Sequence, residues 1–129
     1  MTVFVVVFVV ALTAVAGLVF DGANVLAARQ QAANVAASAA RAGAEALDVA
    51  NARTSGDAPL DTAEAVDRAS TYLTQTGYTG SASVHGNEVF VEVTITRHLF
   101  VLGLAGRTAV TVHGRGAARA RRAVQQLGN

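Results

Sequence analysis

Between Met1 and Phe20 the chain carries no Asp, Glu, Lys, Arg or His, and only Thr2, Thr13 and Gly17 interrupt the apolar run. A helix in the core of a small soluble domain shows a polar face, and this run has none. The pattern therefore predicts a helix in apolar surroundings around its whole circumference. At about 1.5 Å of rise per residue, twenty residues make roughly 30 Å, the thickness of a bilayer's hydrocarbon core.

From Asp21 to Asp48 the pattern changes but stays helical. There is no proline and alanine, the best helix former, dominates. Gln30, Asn34, Ser38, Arg41, Glu45 and Asp48 recur at spacings of three or four and form one polar stripe. Beside it Ala28, Ala32, Ala36, Ala40 and Ala44 recur every fourth residue as a ridge of methyl groups. The ridge buries little area, so at ~25 cal/mol per Å² it stabilises modestly, but it allows another backbone, helix or sheet, to approach closely. Unbroken to about Val49, the helix would be on the order of 70 Å long. Gly17 and Gly22 bracket Asp21 and are the expected kink or melting points, unless Gly17 serves only to pack small.

After a polar connector over 51–60 that holds the only proline, Pro59, the D-x-x-E pair Asp61 and Glu64 marks a helix start with Leu60 before it. Ala65, Val66, Ala69, Tyr72 and Leu73 give this helix an apolar face, and Gly77 sits at the position of a left-handed cap. A second helix over about Thr62–Thr76 follows. Val89, Val91, Val93 and Ile95 alternate with polar residues and Phe90, the period of a strand buried on one face. Gly86-Asn87 closes a tight hairpin with Ser81–His85, and Arg107–His113 supplies a third strand. The fold class expected is α+β: a long N-terminal helix (apolar half plus alanine-rich stalk), a short second helix and a three-stranded antiparallel sheet, covered by the second helix and the alanine face of the first. The divisions are 1–21 (apolar helix), 22–50 (stalk), 51–60 (connector), 61–118 (small α+β domain) and 119–129 (arginine-rich tail).

The segment from Leu99 to Gly106, LFVLGLAG, is apolar where a loop is expected. Either it tucks over the sheet edge, or Leu99, Phe100, Val101, Leu102 and Leu104 form a contact patch for another subunit or for lipid.

Composition narrows the chemistry. There is no cysteine, so disulfides, thiolate metal sites and cysteine nucleophiles are excluded. All ten basic residues are Arg, and from Gly114 onward four Arg meet no acid; this end reads as a frayed, solvated terminus, with anionic lipid or an acidic partner as the alternative. His85 and His113 could approach one another if their strands are neighbours, with Glu88 and Glu92 the plausible carboxylates, yet His85, His98 and His113 are expected on strand ends without metal. No catalytic constellation, cofactor motif or nucleic-acid signature is present, and an enzyme is not expected. The apolar run also departs from a signal peptide: no basic residue precedes it, and it exceeds the usual 7 to 15 residues.

The sequence TVFVVVFVVALTAVAGLVFDG through AARQQAANVAASAARAGAEALD, followed by YLTQTGY, VFVEVTITR and RTAVTVHG, resembles type IV pilins and pseudopilins and, more closely, the TadE/TadG-like proteins of tight-adherence pilus systems. That resemblance implies a structural subunit of a Tad-type pilus. It would be held in the inner (cytoplasmic) membrane before assembly and then packed into an extracellular surface filament. Its partners would be copies of itself, the assembly machinery and the lipid bilayer, with no cofactor and no nucleic acid. It also implies that a basic leader is cleaved and Met1 is the mature first residue. The chain departs from the pilin pattern at Val5, where pilins carry Glu. An unpaired N-terminal ammonium in an apolar bundle is costly, and the first acid, Asp21, lies about 30 Å along the helix; an axial offset of that size between subunits could bring the two together, and otherwise Met1 stays at the lipid or filament surface, the outcome expected here. The expected assembly interface comprises Met1, Phe4, Val5, Val7, Phe8, Val10, Leu12, Val15 and Leu18, then Asp21 and the ridge residues Ala28, Ala32 and Ala36. The alternative is a permanently membrane-anchored binding or secretion-associated envelope module.

Overall fold

The computed structural model describes residues 1–53 and 62–120. Most of the connector, with Pro59, the Asp61 half of the D-x-x-E pair and the tail from 121 lie outside the described residues.

Helix α1, Thr2–Arg53, runs unbroken for 52 residues. It does not melt at Gly17 or Gly22: a side chain at Gly17 would collide with Val101, so this glycine packs small, while Gly22 faces open space. Helix α2, Thr62–Thr76, buries Ala65, Ala69 and Leu73. It ends at Gly77 with φ +76°, and the Tyr78 N–H closes the turn on the Leu73 carbonyl at 2.9 Å.

Strands β1 (Thr79–His85), β2 (Glu88–His98) and β3 (Ala109–Arg119) form one antiparallel sheet in the order β1-β2-β3. The β1–β2 hairpin turns at Gly86, whose φ of +62° requires the freedom of glycine. Between β2 and β3 the segment expected as a loop contains a one-turn helix, α3, Val101–Leu104.

Two expectations need correction. The third strand does not stop at His113, and Gly114–Arg119 is not a frayed terminus: both belong to β3, paired with β2 through Glu88↔Arg119. The physical reason is a match of small residues. On the inner face β3 presents Val112, Gly114 and Gly116, with Ala118 following, and a Cβ on Gly114 would collide with the backbone of Ala32 and Ala33. One on Gly116 would collide with Ala36 and Ala37. Four helical residues advance about 6 Å and two strand residues about 6.6 Å, so the alanine and glycine repeats stay in step. In this stretch β3 runs along α1 in the same direction.

The core is therefore alanine and glycine between α1 and β3, and valine between α1, α2 and β2. Ala28, Ala32, Ala36, Ala40 and Ala44 share one buried cluster with Leu47, Ala65, Ala69, Leu73, Val89, Val91, Val93 and Ile95. Gly43 permits the close approach of α2, since a Cβ there would lie 2.8 Å from the Ala65 carbonyl oxygen. The outer sheet face is polar: Arg115 donates to Glu92 at 2.9 Å, and Thr94 meets His113 at 3.2 Å. Exposed pairs of this kind contribute about 0–1 kcal/mol each.

Candidate assembly and membrane surface

Every side chain of α1 from Thr2 to Ala16 is exposed, and so are Leu18, Val19 and Phe20. Helix α1 is long and apolar enough to cross a membrane. Met1, Phe4, Val5, Val7, Phe8, Val10, Leu12, Val15 and Leu18 all lie on this bare cylinder, as does Leu26 one turn beyond Asp21.

The other sequence-derived candidates occupy a different environment. Ala28, Ala32 and Ala36 face the sheet of their own chain and are 1%, 0% and 0% exposed. Asp21 is 1% exposed and also engaged internally. Its carboxylate accepts backbone N–H groups from Phe100 at 3.1 Å, Val101 at 2.9 Å and Leu102 at 3.1 Å. These are the first amides of α3, which have no acceptor within their own short helix. A single carboxylate thus ties α3 to the end of the apolar run, roughly eighty residues away in sequence. This arrangement meets the rule that a buried charge is held by hydrogen bonds, and it occupies the acid that a neighbour's N-terminal amine would need.

The apolar segment divides. Leu99 is buried and Val101 rests on Gly17, whereas Phe100 is 77% and Leu104 91% exposed. A groove of ≈ 400 Å³ between α1 and α3 is walled by Leu18, Val25, Leu26, Leu99, Leu102 and Val110 around Asp21. Farther along, Gln31 bridges elements, accepting from Arg97 of β2 at 2.9 Å and donating to the Tyr78 hydroxyl.

Residue reasoning missed Gly114 and Gly116 as packing partners and the pairing of Asp21 with α3. A readable signal for the first was Val112, Gly114, Gly116 and Ala118 at every second position, a small inner face suited to an alanine ridge. No local signal marks the second.

The histidines do not converge, since β2 separates the strand of His85 from that of His113. His85 packs edge-on against Phe90, with ring centroids 5.7 Å apart. Among the described residues no group of three or more His, Asp or Glu could hold a metal ion.

The resemblance noted from the sequence is matched over the helix that carries this surface: residues 1–51 match the family described as "Putative Flp pilus-assembly TadE/G-like". No curated protein and no solved structure matches the chain.

Proposed function

We propose that the chain is a structural subunit of a Tad-type pilus, held in the bilayer by residues 2–20 and packed through them against copies of itself when a filament forms. The observation that carries this reading is an apolar cylinder exposed all round and continuous with a folded domain. The pilus-assembly match over 1–51 covers the same helix. Lipid tails are as apolar as valine, so moving this cylinder from bilayer to filament gains little hydrophobic free energy. Assembly then rests on shape-matched contact among Phe4, Val7, Phe8 and their neighbours, and on machinery that extracts the subunit. The alanine ridge takes no part, because it is the inner face of the subunit's own core.

That last point favours a second reading, a permanent membrane anchor carrying the sheet domain as a binding module. With Asp21 engaged internally, the ridge that could have served as a small-residue seam between subunits is, among the described residues, taken up by the chain's own sheet. Shearing of cells separates the two. A filament subunit appears in the sheared high-molecular-weight pellet, and Val7→Asp or Val10→Asp abolishes that fraction. Recovery of the unaltered protein solely with detergent-extracted membrane would establish the anchor instead.

A further inference from the structure

We infer that α3 is a lipid-interface foot: the Leu99–Gly106 segment places Phe100 and Leu104 in the headgroup–acyl boundary of the bilayer that α1 crosses, and so fixes the height of the folded domain above the membrane. The inference rests on insertion of residues 2–20 in lipid and not on filament assembly.

Three observations carry it. The first is level. Val101 packs on Gly17 and the α3 amides bind Asp21, so α3 lies alongside the last turn of the apolar run, reaching about 6 Å below Asp21. Whatever surrounds Leu18, Val19 and Phe20 also surrounds α3. Interfacial helices sit about 5–10 Å into the same boundary.

The second is backbone satisfaction. Irregular chain tolerates apolar surroundings only when its polar groups are paired. Here the Leu99 N–H donates to the Thr108 carbonyl, those of Phe100, Val101 and Leu102 to Asp21, and those of Ala105, Gly106 and Arg107 to carbonyls within α3. A water-exposed loop would need none of this.

The third is size. Two exposed large side chains are far short of the roughly 800 Å² per partner that a stable subunit contact buries. They are continuous, however, with the apolar surface of α1, and while the chain is held in the bilayer lipid is the occupant that covers both.

Because the chain has no cysteine, single labels can be placed cleanly. Leu104→Cys, Val19→Cys and Thr111→Cys, each labelled with an environment-sensitive fluorophore, are reconstituted as full chains in vesicles of phosphatidylethanolamine and phosphatidylglycerol. All three sites are exposed, so the core is untouched. The expected result is a blue shift at residue 104, with quenching by spin-labelled lipid and shielding from aqueous iodide. It should match residue 19, oppose residue 111 and persist as protein is diluted into excess lipid. Iodide access at residue 104 with residue 19 still in lipid overturns the foot alone. Shielding that vanishes on dilution overturns it in favour of a second copy of the chain. Iodide access at both sites overturns the foot together with the membrane insertion on which it rests.

Discussion

At the scale of single residues, Asp21 has the most consequential position. It ends the apolar run and is the only acid before Glu45, which invites a role between subunits, whereas its oxygens serve three amides of its own chain. Replacing it by Ala leaves those amides without an acceptor beside an apolar wall. Hydrogen exchange at Phe100, Val101 and Leu102 should then accelerate on the order of tenfold or more, while Val91 and Val93 in the sheet stay protected. Asp21→Asn keeps one oxygen acceptor and should fall between the two. Unchanged exchange in the Ala variant would mean that the Val101–Gly17 contact holds α3 without the carboxylate.

At the scale of elements, the decisive contact is a helix laid on a strand with almost no side chain between them. Gly114→Ala puts a methyl group into the backbone of Ala32 and Ala33, which cannot swing aside as a long side chain would. Overpacking of this kind should cost about 2–3 kcal/mol and lower the melting temperature by roughly 10–20 °C, read by circular dichroism in detergent. Gly103→Ala is the matched control. It meets nothing within 4 Å and lies in α3, so it should be neutral or gain about 0.5 kcal/mol. The same contact explains which elements were legible in the sequence. Helix α2 was, because Glu64, the apolar face and Gly77 are local signals; so was β2, because its valines alternate. The end of β3 was not, since glycine is depleted in strands and its use here depends on a helix some eighty residues earlier. Nor was α3, whose unbroken apolar run has no period and whose amides are satisfied from α1. Of the candidate surface, residues 1–18 were legible as apolar and bare. The sheet was legible as one destination of the alanine face, but a small-residue ridge does not say that the sheet takes all of it and leaves none for a neighbour, and nothing local marked the destination of Asp21.

At the scale of the whole molecule, the chain consists of two bodies sharing one helix. Helix α1 is about 78 Å long, yet its buried core residues begin at Ala28 and, among the described residues, the folded domain reaches no lower than the contacts of Asp21 and Gly17 with α3. Residues 2–16 touch none of it closely enough to lose exposure, so they determine where the domain resides and contribute nothing to whether it folds. A chain beginning at Asp21 keeps the carboxylate, the ridge and the sheet. It should dissolve without detergent, sediment as a monomer and unfold cooperatively, within about 1 kcal/mol of the full chain measured in micelles. The full chain without surfactant should sediment as large assemblies, since an apolar cylinder of this length far exceeds the patch a soluble monomer exposes. If the shortened chain proved unfolded, the apolar helix would be part of the domain's own core. Assembly could not then exchange its lipid surroundings for neighbours without first remaking the subunit.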